Sequence, residues 1–172
     1  MRRLMLLRHC KSSLGEEGLP DRDRPLSKRG QREAESMAEE IAARHAPDRI
    51  LCSPASRTRE TLDPLLARLG KGVDLAVVEE LYGEAGDYRA VVAARGGDAM
   101  RLLVIGHNPA IEATARALAG SGDKACLSLM AAKFPTGALA VFEIDGDWTE
   151  LKPRAGRLIA FIRPRDVTGA DN

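Results

Sequence analysis

Four side chains of this 172-residue chain could do chemistry together. Arg8 and His9 end the run "MLLRH", Arg57 stands in "SPASRT", and His107 ends "LLVIGH". Two guanidiniums present planar forks that bind phosphate oxygens in pairs. A neutral imidazole can attack phosphorus and form a covalent intermediate. A second, protonated imidazole can stabilise the oxygens of a phosphoryl group in transfer, a reaction that depends mostly on positioning and electrostatics. His9 and His107 are two of only three histidines, and each closes an apolar run. The third, His45, lies near a predicted helix C-terminus, where it suits the dipole. There is no GxxxxGK[ST] motif and no carboxylate cluster suited to magnesium, which argues against nucleotide hydrolysis. Cys10, beside His9, is a second candidate nucleophile.

The elements that must position these residues alternate along the chain. An apolar strand is predicted over residues 3–8, followed by a Gly/Pro/Asp/Ser-rich loop over 12–26. Ser27 caps a helix through Arg44, with Ala34, Met37, Ala38, Ile41 and Ala42 at helical spacing. "DRILCSP" is a second strand, and "ASRTRETLDPLLARLG" a helix broken or bent at Pro64. "VDLAVV" is a third strand, "EELYGEAG" a loop, and "DYRAVVAAR" a short helix. "RLLVIGH" is a fourth strand. "NPAIEATARALAG" is a helix with Asn108 as N-cap and Pro109 in its first turn. "GALAVFEID" and "GRLIAFIRP" are two further strands. This alternation predicts an α/β fold: a three-layer α/β/α sandwich with a mostly parallel central sheet. Ligands of such sheets bind at the carboxyl ends of the strands. Three predicted strands end there in Arg8-His9, in Cys52-Ser53-Pro54 with Arg57 just beyond, and in Gly106-His107. The helix start after Asn108 adds backbone donors for an anion.

Composition narrows the function classes. The length suits one domain, expected over residues 1–165, with 166–172 a frayed tail. The chain is 44% hydrophobic with a net charge of +1, so no global field draws it to nucleic acid or an anionic membrane. An anion must be bound by a local cluster of cations. No apolar stretch approaches the roughly 20 residues that span a bilayer. The opening "MRRLMLLRHCKSS" has basic residues before an apolar run, but that run covers only Leu4 to Leu7 and reads as a core strand rather than a leader. Cysteines at 10, 52 and 126 form no CxxC pair, so neither a disulfide framework nor a zinc site is expected, and a reducing cytoplasm fits. No metal or cofactor is expected.

The segment "LLRHCKSS" resembles the Arg-His-Gly segment of the histidine phosphatase superfamily, the phosphoglycerate-mutase-like fold. "DRPLSKRGQREA", "LCSPASRTRETL", "ELYGEAGDY" and "LLVIGHNPAIE" follow in that family's order, and the set is most similar to SixA-type phosphohistidine phosphatases. The resemblance covers about residues 3–145. It implies that His9 is the phosphorylated nucleophile, that Arg8 and Arg57 clamp the phosphoryl oxygens, and that His107 is the second histidine of the pocket. Asn108 joins these as a phosphate contact. Arg24 and Ser53 lie in family-like segments without a firm role. Two departures stand out. Cys10 occupies a position where the family has Gly or Ala, and is small enough to stand in for them, which favours a packing role over that of a nucleophile. Glu80 matches a family glutamate only loosely, and is either the general acid or a loop carboxylate at the pocket mouth.

The implied function is a phosphatase that works through a phosphohistidine intermediate. Its expected substrate is phosphohistidine in a protein. The alternatives are a small phosphorylated metabolite, or a catalytically weak phosphate-binding module. His9 must be neutral to attack, and two nearby guanidiniums should lower its pKa. Activity is therefore expected to fall on the acid side of neutrality.

Overall fold

Leu4 and Leu6 point to one face of the first strand and Met5 and Leu7 to the other, and all four are buried. A strand apolar on both faces must be covered on both faces. The computed structural model, which describes residues 1–84 and 86–168, shows how. Its strands are β1 (Arg2–Arg8), β2 (Arg49–Cys52), β3 (Asp74–Val77), β4 (Arg101–Gly106), β5 (Ala119–Gly122), β6 (Leu139–Ile144) and β7 (Gly156–Ile162). They form one sheet in the order β3-β2-β4-β1-β6-β7-β5, mostly parallel, with β6 running against its neighbours.

Helices α1 (Lys28–Arg44), α2 (Ser56–Leu69) and α6 (Pro164–Thr168) cover one face, where Met37, Ile41, Leu62 and Leu65 pack on Met5, Leu7, Leu103 and Ile105. Helices α3 (Arg89–Arg95), α4 (Ala110–Leu118) and α5 (Lys124–Ala132) cover the other, with Val92, Ile111, Leu118 and Met130 on Leu4, Leu6 and Val104. The expected three-layer α/β/α sandwich is present.

Local chemistry explains most boundaries. The Ser27 hydroxyl accepts the Gly30 N–H at 3.0 Å and starts α1 as expected. Gly30 must be glycine, because a Cβ there would stand 2.0 Å from the Lys11 carbonyl oxygen. Some elements differ from expectation. Of the two readings at Pro64, a break is excluded: the helix α2 continues through it to Leu69. The helix α4 begins at Ala110 with Pro109, not Asn108, at its N-cap position, and stops at Leu118, because Ala119 and Gly120 enter β5, which pairs with β7. The segment after it, for which the sequence predicts no element, holds α5, whose Asp123 cap accepts the Cys126 N–H at 2.9 Å. Its contiguous apolar residues, "ACLSLMAA", lack the helical spacing that announces an amphipathic helix. Finally, the tail expected to fray from 166 is helical through Thr168, with Val167 packed on the α1–α2 core; the rest of that tail lies outside the described residues.

Candidate active site

Strand register brings the chemistry together. Arg8 is level with Gly106 across the parallel β1–β4 pair, and Cys52 is level with Ile105 across β2–β4. The residues just past these ends are His9, His107 and Ser53. The His9 N–H donates to the Gly106 carbonyl at 3.1 Å and the Ser53 N–H to the Ile105 carbonyl at 3.0 Å. The two imidazoles lie with centroids 5.2 Å apart. His9 also feels Arg8 and Arg57 electrostatically, so the four predicted side chains share one pocket.

The orientation of His9 is set by its backbone neighbour. Its Nδ1 lies 2.7 Å from the Cys10 carbonyl oxygen. A carbonyl only accepts, so Nδ1 carries the ring proton and Nε2 keeps its lone pair. The Cys10 peptide is held in turn, because its N–H donates to the Thr61 hydroxyl at 3.0 Å. That hydroxyl donates to the Arg57 carbonyl at 2.7 Å. Thr61 thus braces the backbone beside His9 against the helix that carries Arg57.

His107 is fixed by a tyrosine and a serine. The buried Tyr88 hydroxyl accepts the His107 N–H at 3.1 Å and donates to the Leu81 carbonyl at 2.9 Å. Gly106 gives the Tyr88 ring its room, since a Cβ there would come within 2.6 Å of that ring. The His107 Nε2 lies 2.7 Å from the Ser53 hydroxyl, and the Tyr82 ring meets the imidazole edge-on at 5.5 Å.

The guanidiniums are held by oxygens. Arg57 donates to the Asp21 carbonyl at 2.8 Å and to the Asp21 carboxylate at 3.1 Å. The same carboxylate accepts from Arg24 at 3.0 Å and from the Tyr82 hydroxyl at 2.9 Å. Arg22 closes the loop from outside with a two-pronged pair to Glu79. Arg8 donates to the Phe134 carbonyl at 3.0 Å. Among the described residues, five buried side-chain polar atoms have no partner, and three belong to Arg8, Arg57 and His107. Unsatisfied groups of this kind gather at functional sites.

Burial dominates the electrostatics. It pushes the His9 pKa down to about 3, against the Cys10 carbonyl, with His107, Arg57 and Arg8 lowering it further. His107 is pushed to about 4, again mainly by burial and then by Arg57, while Asp21 opposes. The expected lowering is present, but desolvation rather than the guanidiniums is its chief cause. Both rings are neutral at pH 7. Asp21 is held at about 2, mainly by the Tyr82 hydroxyl, against the opposing effect of burial, with Arg57 and Arg24 lowering it further.

The remaining predicted residues have other occupations. Glu80 lies at the surface, where its carboxylate accepts from Arg95 at 2.9 Å and is held below its usual pKa by that bond. An ionised, paired carboxylate is a poor proton donor. The Asn108 amide donates to Glu112 and to the Phe134 carbonyl, both at 3.3 Å, and its carbonyl accepts the Glu112 N–H. It therefore links the start of α4 to the segment that holds Arg8. Cys10 is fully buried against Leu26 and Ala34, and burial raises its thiol to about 12. It packs as a small core residue. Among the described residues no group of three or more His, Cys, Asp or Glu is placed to hold a metal ion. Asp21, Thr61, Tyr82 and Tyr88 were not legible as site residues. The only signal for Asp21 was its place in "DRDRPLS", two residues before a segment of family type.

Comparison with known proteins agrees with this geometry. The profile of the histidine phosphatase superfamily, branch 1, matches residues 4–90. An uncharacterized protein of Mycobacterium tuberculosis is 38% identical over 163 residues, spanning 92% of this chain and 100% of its own length. The protein assigned as phosphohistidine phosphatase SixA in Agrobacterium tumefaciens superposes with a TM-score of 0.78 at 34% identity, over 94% of this chain and 97% of that one. Its counterpart from Nakamurella multipartitia gives a TM-score of 0.76 at 31% identity, over 95% and 96%. Sequence, strand order and pocket lead to one place: the chain belongs to the histidine phosphatase superfamily, as a phosphatase of the SixA type with the phosphoglycerate-mutase-like fold.

Proposed function

We propose that this phosphatase removes the phosphoryl group from phosphohistidine in a protein, carrying it on His9 Nε2. Arg8, Arg57 and His107 bind the phosphoryl oxygens. The Nε2 lone pair forms a bond to phosphorus as the bond from phosphorus to the substrate imidazole breaks. When that imidazole carries a proton on its other nitrogen, it departs neutral and needs no acid. The phosphorylated His9 ring then bears positive charge, which the Nδ1–H bond to the Cys10 carbonyl stabilises. In the second step water attacks phosphorus, the bond to Nε2 breaks, and His9 departs as the neutral ring it was. The protons of the water leave with phosphate.

One observation carries this choice of substrate. Two carboxylates near the site, Asp21 and the sequence-predicted acid Glu80, are held ionised by their partners. An alkoxide is a poor leaving group and needs a proton at cleavage, a contribution of about 10²–10⁴ in rate. A histidine leaving group does not. The similarity to two proteins assigned as phosphohistidine phosphatases supports the same reading. Three free cysteines, two of them buried, fit a reducing compartment such as the cytoplasm. No helix among the described residues is long and apolar enough to cross a membrane.

The test is competition between substrates. Phosphate release from a histidine-phosphorylated protein should exceed that from alkyl phosphomonoesters by about 100-fold in kcat/KM. A sugar phosphate turned over as well as the phosphoprotein would overturn the proposal in favour of a metabolite. Phosphate binding without turnover of either would reduce the protein to a binding module.

A further inference from the structure

A second feature stands at the same edge of the sheet and takes no part in the chemistry above. A cleft of about 860 Å³ lies between the first turns of α1, the segment before β6, and the chain leaving β7. All three are at the carboxyl end of β1, since α1 follows β1, β6 runs antiparallel to β1, and β7 antiparallel to β6. Among the described residues five cations line it, Arg29, Arg32, Lys133, Arg163 and Arg165, against the carboxylate of Glu33. Glu33 is buried and paired with Arg29 at 2.8 Å, and Arg163 is paired with Asp166. Arg32, Lys133 and Arg165 are exposed and make no ion pair among the described residues. In a chain of net charge +1 this is a local concentration of positive charge.

The cleft shares a wall with the active site. Lys133 directly precedes Phe134, whose carbonyl holds the Arg8 guanidinium. Three residues on, the Gly137 N–H donates to the Arg8 and His9 carbonyls at 3.1 and 3.0 Å. We infer that this cleft docks the acidic surface of the phosphorylated protein and so selects which phosphohistidines reach His9. The inference rests on the substrate reading above. A small metabolite seated among Arg8, Arg57 and His107 would have no need of cations on the far side of the 133–137 segment. Single-stranded nucleic acid is disfavoured, because among the described residues no aromatic side chain lines the cleft to stack a base. Clustered charge facing opposite charge steers encounter and selects partners, and its effect falls with salt.

The experiment compares the parent protein with the double variant Arg32→Glu/Arg165→Glu on two histidine-phosphorylated proteins, one of acidic and one of basic surface, and on free phosphohistidine. The variant should raise KM for the acidic phosphoprotein about tenfold and leave free phosphohistidine within about twofold, which also reports that the pocket is folded. With the parent, kcat/KM for the acidic phosphoprotein should fall as salt rises, and that for free phosphohistidine should not. Equal turnover of the acidic phosphoprotein by parent and variant, or a flat salt dependence, overturns the docking site alone. A duplex DNA oligonucleotide that blocks the acidic phosphoprotein in the parent but not in the variant would assign the cleft to nucleic acid instead. No phosphate release from either phosphoprotein by the parent refutes the substrate reading, and the docking site with it.

Discussion

Replacing the Thr61 hydroxyl by a methyl, in Thr61→Val, measures how much the brace behind His9 is worth. Thr61 is 3% exposed, so water does not stand in for what is lost. The parent hydroxyl accepts from the Cys10 N–H at 3.0 Å and donates to the Arg57 carbonyl at 2.7 Å. Valine fills the same space and leaves the Cys10 N–H buried with no acceptor, which costs about 1–3 kcal/mol. At about 2–4 °C per kcal/mol for a domain of this size, Tm should drop by about 2–12 °C. The kinetic effect follows from geometry. The Cys10 peptide that loses its N–H partner is the one whose carbonyl orients the His9 ring. A nucleophile displaced by about 1 Å loses up to about 100-fold in rate. Stopped-flow phosphate release and calorimetry on the parent, Thr61→Val and Thr61→Ser give both quantities. We expect kcat to fall at least tenfold in Thr61→Val with a smaller change in KM, and Thr61→Ser to restore most of kcat and Tm. If Thr61→Val keeps parental kcat and Tm, the hydroxyl is no brace. If Thr61→Ser fails as badly as Thr61→Val, the methyl packing matters and the hydrogen bonds do not.

Other outcomes follow from the same geometry. Asp21→Asn should raise KM for a phosphorylated substrate about two- to fivefold with little change in Tm, because its pair with Arg57 is half-exposed; a lowered KM would mean that the carboxylate mainly repels substrate. The folded-state pKa values of His9 and His107, near 3 and 4, lie below the ordinary 6.5, so the unfolded chain binds more protons in between. Their contribution is complete above about pH 6.5 and is lost as pH falls toward 4 and then 3, by at most about 1.4 kcal/mol per pH unit for each ring. Denaturant midpoints of His9→Gln/His107→Gln should accordingly fall less steeply than the parent's over that range; parallel curves would show that the rings are not buried neutral. Glu80→Gln and Cys10→Ala should each keep phosphatase activity within about twofold, since one side chain is paired at the surface and the other is core packing; a loss like that of His9→Ala in either would return that residue to the chemistry.

The pocket was legible in the sequence where chemistry and strand ends coincide. Arg8, His9, Arg57 and His107 are unusual residues at the ends of apolar runs, and parallel strand register does the rest by making those ends level. The supports were less legible, because each works by a contact between distant segments. Thr61 reads as one more residue of a helix, and its partners lie 51 residues back, at Cys10, and one helical turn back, at Arg57. Asp21 sits in a Gly/Pro-rich loop that folds across to Tyr82, 61 residues away. The same reason explains β5 and α5. "AGSG" has no β-branched residue to mark a strand and pairs only because β7 presents an edge, while α5 owes its place to packing of Met130 rather than to a periodic face. Glu80 shows the converse. Its place in "EELYG" left two readings, an acid or a loop carboxylate, and the structure pairs it with Arg95 at the surface.

The most direct test of the account is to trap the phosphoenzyme. The protein is mixed with excess phosphoramidate or a histidine-phosphorylated protein, quenched in base within milliseconds, and mapped by peptide mass spectrometry. A base-stable, acid-labile phosphate on the peptide that carries His9, located on its imidazole and absent from His9→Ala along with turnover, is the predicted result. Phosphate on any other residue, or undiminished turnover by His9→Ala, would contradict it.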